Sequence, residues 1–222
     1  MELYEVMRTT FAARDYTGDP LPDDVLYDIL ENARFAPSGG NRQGNRVIVV
    51  RDPETRDQLA RLAEPAAKRY TAQVHAGESP WNTITPSQVT AEHAAATEPF
   101  ERLIEPCRTA SVVLVFVVDL KVVASMDHEL DRIGVISGGS IYPFVWNVLL
   151  AARQAGFGGT ITTLAVAEEP KVQALLNIPP DHAVAAVVPL GRPVKQLTKL
   201  RRRSVEDIAT CETFDGEPFT VG

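Results

Sequence analysis

A turn-forming stretch near the N-terminus, residues 36–43 (APSGGNRQ), carries the side chains of this sequence best suited to holding a small polar ligand. Ser38 and Gly39 offer backbone N–H groups with little side-chain bulk, and Asn41 and Gln43 add donors and acceptors. Such a turn can hold a planar polar heterocycle through directional hydrogen bonds. The same residue types also suit a plain loop between a helix and a strand, so the pattern alone leaves both interpretations open.

Other patterns that could support chemistry are weak. The 4 histidines are scattered without the spacing of metal ligands, and we expect no metal site. The glycines of the GFGG stretch at 156–159 follow a predicted helix instead of a strand, which does not fit a dinucleotide-binding fingerprint. No serine lies in a nucleophile elbow. None of these patterns predicts an alternative catalytic site.

The composition is that of a globular protein of one domain. The chain has 222 residues, of which 45% are hydrophobic, and a net charge of −7. The acidic balance argues against nucleic-acid binding, and the one dense basic run, KLRRR at 199–203, is short. No apolar run approaches the length of a membrane span, and the N-terminus does not resemble a signal peptide. With Cys107 and Cys211 far apart, we expect free thiols and a cytoplasmic protein.

Hydrophobic periodicity supplies the elements that would position the turn. It predicts helices over residues 3–13, 53–69 and 137–155, the last ending at Gly156, and a further helix whose first turn lies at residues 21–24 and which stops before Pro37. It predicts strands over residues 46–51, 111–119, 160–164 and 183–190, with the apolar second strand at the centre of a sheet. Pro189 suggests an edge or a bulge in the last strand. Helices that do not alternate regularly with strands indicate an α+β fold.

Two further segments stand apart from these elements. Residues 71–108 have weak periodicity but contain Trp81 and Phe100, so we expect an insertion that forms a pocket wall instead of a disordered loop. Ordinary packing of an insertion would explain these two aromatic residues equally well. The tail at 209–222 carries Phe214 and Phe219, which we expect to pack on something, such as a partner subunit.

Three blocks of the sequence resemble the nitroreductase family. They are residues 7–50, which include the PSGGNRQ turn, residues 140–164 (SIYPFVWNVLLAARQAGFGGTITTL) and residues 189–208 (PLGRPVKQLTKLRRRSVEDI). They occur in the family's order and cover roughly half of the chain, which makes the match more specific than any one block. The resemblance implies a three-layer α/β/α sandwich whose central mixed, largely antiparallel sheet is flanked by helices. It also implies a homodimer with FMN bound at the interface.

The resemblance also assigns phosphate-binding positions. Arg14 matches the last basic residue of the family's first motif, and a guanidinium suits a phosphate because it donates two parallel hydrogen bonds. Thr10 lies where the family often has arginine, Phe11 and Ala12 also depart from the pattern, and Arg8 could compensate. In the C-terminal basic run, Arg202 matches the family's phosphate contact best, followed by Lys199 and Arg201.

The flavin ring would lie against two other matched segments. Pro37, Ser38, Gly39 and Asn41 are expected to contact the flavin, with Gln43 close behind, and in the family some of these residues reach the flavin of the partner subunit. Thr163 and Leu164 match the position whose backbone N–H faces flavin N5.

The activity that the resemblance implies is a ping-pong reaction. NADH or NADPH would reduce FMN and leave, and an electron-poor nitroaromatic, quinone or enone would then take the electrons. Two alternatives remain open: a specialised reaction such as reductive dehalogenation or a biosynthetic dehydrogenation, and a non-catalytic protein that stores or senses flavin.

Overall fold

The most apolar segment of the sequence forms the centre of the sheet. In the computed structural model, which describes residues 1–221, four strands pair in the order β1-β2-β4-β3, and all neighbours are antiparallel. An isolated bridge between Ala12 and Gly159 adds a parallel contact at the edge. The strands are β1 (Asn45–Val50), β2 (Val112–Asp119), β3 (Gly158–Gly159) and β4 (His182–Gly191). The register between β2 and β4 shifts between Phe116 and Val117, which leaves Ala185 of β4 as the extra residue of a bulge. The predicted bulge therefore lies in the last strand, but not at Pro189 itself.

Helices cover both faces of this sheet. They are α1 (Leu3–Thr9), α2 (Asp23–Ala33), α3 (Pro53–His75), α4 (Ala91–Ala96), α5 (Glu105–Thr109), α6 (Tyr142–Gln154) and α7 (Glu169–Leu176). The α2 and α6 helices pack on one face, and α3, α5 and α7 pack on the other. The predicted α+β fold with three layers is therefore confirmed.

Alternation along β2 explains why both layers form. Leu114 and Phe116 point into the cluster with α2 and α6, whereas Val113, Val115 and Val117 point into the cluster with α3 and α7. Successive side chains of a strand lie on opposite faces, so a continuous apolar strand needs apolar cover on both sides. Residues 112–118 are all buried, as expected for a central strand.

Several element boundaries differ from the predictions. The α6 helix begins at Tyr142 and not at residue 137, because Ile136–Ser140 form a separate 3₁₀ turn. The first helix ends at Thr9 and not at residue 13, because the chain becomes extended at Thr10 and Ala13 donates a backbone hydrogen bond to Gly159. The α3 helix runs on to His75 and contains Pro65. Residues 160–164 do not form a strand: only Thr162 bridges to β4, and the edge strand is Gly158–Gly159.

The segment at 71–108 is more ordered than its weak periodicity indicates. It includes the end of α3 and all of α4 and α5. The prediction for Gly156 is confirmed, since its φ of 82° is left-handed and it follows the end of α6. Both Cys107 and Cys211 are free thiols. None of the helices in the described part of the chain is long and apolar enough to cross a membrane.

Candidate functional site

A cavity of about 530 Å³ lies between two walls that come from distant parts of the chain. Its volume falls within the roughly 300–1,000 Å³ typical of small-molecule and cofactor sites. One wall combines Arg14 with residues that follow β3, and the other combines the end of α3 with residues that precede and begin α5. The lining includes Arg14, Ala66, Tyr70, Trp81, Arg102, Leu103, Pro106, residues 160–164, Val166, Ala167 and Pro189.

The first wall is built where the N-terminal segment joins the sheet. The Ala13 N–H donates to the Gly159 carbonyl at 3.0 Å, which brings the neighbouring Arg14 to the cavity. The Tyr16 hydroxyl lies 2.8 Å from the Ala13 carbonyl and 3.0 Å from the Pro189 carbonyl. Burial raises the pKa of Tyr16 well above its ordinary value, so this phenol stays protonated and remains a donor.

Close backbone approach at the edge strand requires glycine. A Cβ on Gly159 would lie 2.5 Å from the Pro189 carbonyl oxygen, and a Cβ on Gly158 would lie 3.2 Å from Ala13. The first contact is with backbone, which cannot move away without disturbing β4. These two glycines therefore allow the N-terminal segment, β3 and β4 to meet beside the cavity.

Thr163 and Leu164 line the same wall. Thr162 exchanges backbone hydrogen bonds of 2.9 and 2.8 Å with Val187 of β4, which fixes the chain just before them. The Leu164 N–H has a long contact of 3.4 Å with the Thr162 hydroxyl. Within residues 1–221 the Thr163 N–H has no hydrogen-bond acceptor, and Thr163 is exposed. This part of the wall therefore has a backbone donor available to a ligand.

The opposite wall contains Trp81 in a constrained conformation. Its φ of 56° is left-handed, which is unusual for a bulky residue. The Trp81 N–H donates to the Gln73 side-chain oxygen at 3.3 Å, and the Arg69 guanidinium lies 4.4 Å from the centre of the indole ring. Glu78 accepts hydrogen bonds from Ser87 and Gln88, which ties the surrounding loop together. The indole is thus held at the cavity and is 44% exposed.

Phe100, the other aromatic residue expected in the pocket wall, is not among the lining residues. Its ring packs edge-on against His75, with centroids 5.4 Å apart, and its N–H donates to the Thr71 hydroxyl at 3.1 Å. These contacts join the segment before α5 to the end of α3. The residue after Glu101, Arg102, lines the cavity instead.

The turn at 37–43 lies outside this cavity. Its Gly39 N–H donates to the Ser140 hydroxyl at 2.9 Å, and the Gln43 N–H donates to the Ser38 hydroxyl at 3.0 Å. Ser140 leads into α6, which belongs to the other helix layer, so one chain cannot place this turn beside Arg14 and Thr163. Asn41 and Gln43 have φ values of 52° and 51°, and Pro37, Gly39, Asn41 and Gln43 are exposed.

The remaining phosphate candidates do not gather at the cavity either. Thr10 is buried, and its hydroxyl donates to the Val6 carbonyl at 2.8 Å, so its donor is used within α1. Arg8 is exposed in the last turn of that helix. The C-terminal candidates Lys199, Arg201 and Arg202 lie in an exposed stretch without helix or strand. Of the predicted phosphate-binding residues, only Arg14 lines the cavity.

The predicted site did not include four polar residues of the lining: Thr160 and Thr162, which lie next to the predicted Thr163, and Tyr70 and Arg102 on the opposite wall. Tyr70 lies just past the predicted end of α3, and recognising that the helix continues would have placed it one turn beyond Ala66. The sequence contains only a weak indication for Arg102, namely that it lies two residues after the aromatic Phe100. In the structure its guanidinium lies 4.8 Å from the centre of the Phe100 ring.

The tail folds back on itself in the single chain. Thr210 forms a bridge with Pro218, and the Phe219 N–H donates to the Ala209 carbonyl at 2.9 Å. Phe214 is fully exposed and Phe219 is 52% exposed. Gly222, the last residue of the tail, lies outside the described residues.

An α+β sandwich with a cavity beside the edge of its antiparallel sheet defines the chain as a three-layer protein with a site for a small molecule or cofactor. The model of the nitroreductase family matches residues 7–192. The chain belongs to the nitroreductase family and is an oxidoreductase.

Named relatives agree with this membership. A Thermus thermophilus protein named NADH dehydrogenase is 28% identical over 82% of each chain. Iodotyrosine deiodinase from Nematostella vectensis is 25% identical over 93% of this chain and 74% of its own length. Among solved structures, an iodotyrosine deiodinase bound to FMN and 3-iodo-L-tyrosine matches 96% of this chain and 100% of its own, with a TM-score of 0.69 and 20% identity. That structural likeness concerns the fold alone.

Proposed function

We propose that this protein is an FMN-dependent oxidoreductase that passes electrons from NADH or NADPH to a small, electron-poor acceptor. The observation that carries the proposal is the cavity that brings Arg14 together with Thr163 and Leu164 in a member of the nitroreductase family. Among similar solved structures, an iodotyrosine deiodinase is bound to FMN, and another protein is an NADPH:FMN oxidoreductase from Vibrio harveyi.

The residues of the cavity fit a flavin nucleotide in three respects. Arg14 supplies a guanidinium whose one hydrogen bond within residues 1–221 is a long one of 3.4 Å to the Ala12 carbonyl, which leaves its other donors for a phosphate. The Thr163 N–H has no acceptor in the described chain. It can therefore donate a hydrogen bond to a nitrogen of the flavin ring. The mixed lining of aromatic, aliphatic and hydroxyl side chains suits a planar heterocycle.

We infer further that two copies of the chain complete each site. The exposed turn at 37–43 and the exposed C-terminal arginines carry the polar groups that one chain leaves away from the cavity. Apolar side chains are exposed beside the turn and in the tail: Phe35, Tyr142, Trp146 and Phe214. A homodimer would cover these side chains and let Pro37, Ser38, Gly39, Asn41 and Gln43 reach the partner's cavity. Arg202, with Lys199 and Arg201, would reach a phosphate in the same assembly.

The chain's own part in the reaction is to bind, orient and exclude water. Bound FMN would supply the transfer of two electrons and a proton from the nicotinamide to the acceptor. Arg14 would hold the phosphate end, while the backbone of Thr163 and Leu164 would fix the ring. Trp81 would cover the acceptor and keep water away. Reduction of a quinone to a hydroquinone takes two electrons and two protons. NAD(P)H provides the two electrons and one of the protons, and water provides the second proton.

The test is to purify the protein, identify its flavin and follow oxidation of NADH and NADPH with a panel of quinones, nitroaromatics and enones. We expect a yellow protein whose flavin absorbance bleaches with a nicotinamide and returns when an acceptor is added. A colourless protein that takes up no added FMN contradicts the proposal. Bound flavin that neither nicotinamide reduces would favour the non-catalytic alternative.

Reductive dehalogenation is a second candidate, favoured by the similarity to iodotyrosine deiodinases over 93% of this chain. The same preparation distinguishes it when halogenated phenols are supplied with excess reductant. Release of halide at a rate that exceeds quinone reduction would support this candidate over the first. A biosynthetic dehydrogenation would instead yield reduced flavin from substrate without any nicotinamide.

A further inference from the structure

The cavity is positively charged on both walls. Its only charged lining residues in the described chain are Arg14 and Arg102, and no carboxylate lines it. A third guanidinium, that of Arg69, lies behind Trp81. The whole chain has a net charge of −7, so the positive charge of this cavity is opposite in sign to that of the protein as a whole.

In the proposed function Arg14 meets the phosphate of FMN, so Arg69 and Arg102 are the guanidinium groups without an ion-pair partner in the described chain that are left for an acceptor. Other arginines of the described chain do form ion pairs, as in Arg108 with Asp57 at 2.7 Å and Arg132 with Asp127 at 2.8 Å. Within residues 1–221 no such pair involves Arg14, Arg69 or Arg102. An unpaired guanidinium beside a concave site attracts an anion, and its planar fork suits a carboxylate.

The second wall combines this charge with an aromatic surface. The Arg102 guanidinium lies 4.8 Å from the Phe100 ring, and the Arg69 guanidinium lies 4.4 Å from the Trp81 ring. Each arginine is therefore held by an aromatic ring while keeping hydrogen-bond donors for a ligand. Trp81 and Tyr70 add surface on which a planar ring can pack.

We propose that the acceptor taken by this site is an aromatic molecule with a carboxylate or a similar anionic group, and that Arg102 is the residue that selects the anion. The ring packs on Trp81, and Arg102 donates to the anionic group. The positive charge of Arg69 adds to the attraction. This inference rests on the proposed function for the reaction, but the binding preference can be measured without turnover.

The kinetic test compares three acceptors with one ring system: 4-nitrobenzoate, nitrobenzene and 4-nitrobenzylamine. In the FMN-loaded protein, Arg102→Gln is expected to lower kcat/KM for 4-nitrobenzoate about tenfold and to change the value for nitrobenzene less than about twofold. The value for the cationic amine should rise. Arg61→Gln is the control, because Arg61 is on α3, is 72% exposed and does not line this cavity. Equal losses for the charged and neutral acceptors would overturn the proposal.

A binding measurement separates this inference from the proposed function. Calorimetric titration of the oxidised, FMN-loaded protein with benzoate and with benzamide is expected to show tighter binding of benzoate, and Arg102→Gln should abolish the difference. If no acceptor is reduced but this preference is found, the inference stands and the proposed function fails. If benzoate and benzamide bind equally, the inference fails whatever the activity. An increase of about tenfold in the Kd of FMN for Arg102→Gln would identify a cofactor ligand and overturn the assignment.

Discussion

The hydroxyl of Tyr16 lies 3.0 Å from the carbonyl oxygen of Pro189 and joins the N-terminal segment to β4 at the rim of the cavity. Both Pro189 and the nearby Arg14 line the cavity. Pro189 has no backbone N–H. Its carbonyl oxygen accepts a hydrogen bond from the side chain of Tyr16. This contact therefore connects the stability of the sheet edge with the position of Arg14.

Tyr16→Phe should lower both the stability of the protein and its affinity for FMN. We expect a loss of about 1–2 kcal/mol in the free energy of unfolding, because the carbonyls of Ala13 and Pro189 lose the single O–H donor that they share. FMN affinity should fall as well, since Arg14 is less firmly placed. Urea unfolding and flavin titration measure the two effects. An unchanged unfolding curve would show that the contact contributes nothing to stability.

Arg14→Gln should weaken FMN binding by about tenfold or more while leaving thermal stability nearly unchanged, because the side chain is exposed and its role is to meet a phosphate. Flavin fluorescence gives the Kd. The matched control is Arg61→Gln, because the Arg61 side chain is 72% exposed and does not line the cavity. Similar losses for the two variants would indicate a general charge effect instead of a specific contact. Arg14→Lys should restore part of the affinity.

Gly159→Ala should destabilise the protein by about 1–3 kcal/mol, because the new methyl group would lie 2.5 Å from the Pro189 carbonyl oxygen and force the backbone apart. Gly139→Ala serves as the control, since a Cβ there meets nothing within 4 Å. Chemical denaturation compares the two. Full stability of Gly159→Ala would contradict the tight edge described above.

Asp127→Asn should loosen the loop before α6. This buried carboxylate accepts hydrogen bonds from the Val135 N–H at 2.7 Å and from Arg132 at 2.8 Å. The backbone hydrogen bond from Val135, together with Arg132, lowers the pKa of Asp127 to about 2. We expect the melting temperature to fall by about 2–4 °C at pH 7.

The effect of Asp127 should depend on pH. The folded-state pKa is below the value of about 3.9 for an aspartate in an unfolded chain, so the ionised group stabilises the fold fully above about pH 4. That contribution is lost as the pH falls toward 2. The difference in melting temperature between wild type and Asp127→Asn should therefore narrow between pH 4 and 2. A constant difference over this range would rule out ionisation as its cause.

Phe214→Ser should shift the protein from dimer toward monomer, because Phe214 is 100% exposed in the single chain and would be buried only against a partner. Sedimentation velocity at several protein concentrations measures the shift. Ile84→Ser is the control, since Ile84 is 86% exposed but lies in the loop between α3 and α4. A monomeric wild-type protein would contradict the proposed assembly directly.

Local patterns in the sequence were sufficient to predict those elements whose conformation depends on neighbouring residues. The apolar run that forms β2, the helical spacing of α2 and the left-handed Gly156 all follow from periodicity and backbone preference. The end of α1 could not be predicted in this way, because it depends on pairing of Ala12 and Ala13 with Gly159, which is remote in sequence.

The candidate site was predictable only in part for the same reason. Arg14, Thr163 and Leu164 were identified by family resemblance, and the structure places all three on one wall. Tyr70 and Arg102 belong to the other wall through the continuation of α3 and the path of the chain before α5, neither of which has a clear periodic signal. The distance between the turn at 37–43 and the cavity follows from the layer in which Ser140 lies, a property of the tertiary fold.

The origin of the two cavity walls has an evolutionary consequence. The wall with Arg14 and Thr163 belongs to the sheet edge, where Gly159 tolerates little change, whereas the wall with Trp81 and Arg102 belongs to one contiguous stretch between β1 and β2. Under the proposed function, the part of that stretch outside the packed faces of α3 and α5 can diverge without altering the residues proposed to hold the cofactor. Under the same proposal, new acceptor specificities can arise by changes in this one stretch, while the residues proposed for the cofactor stay the same.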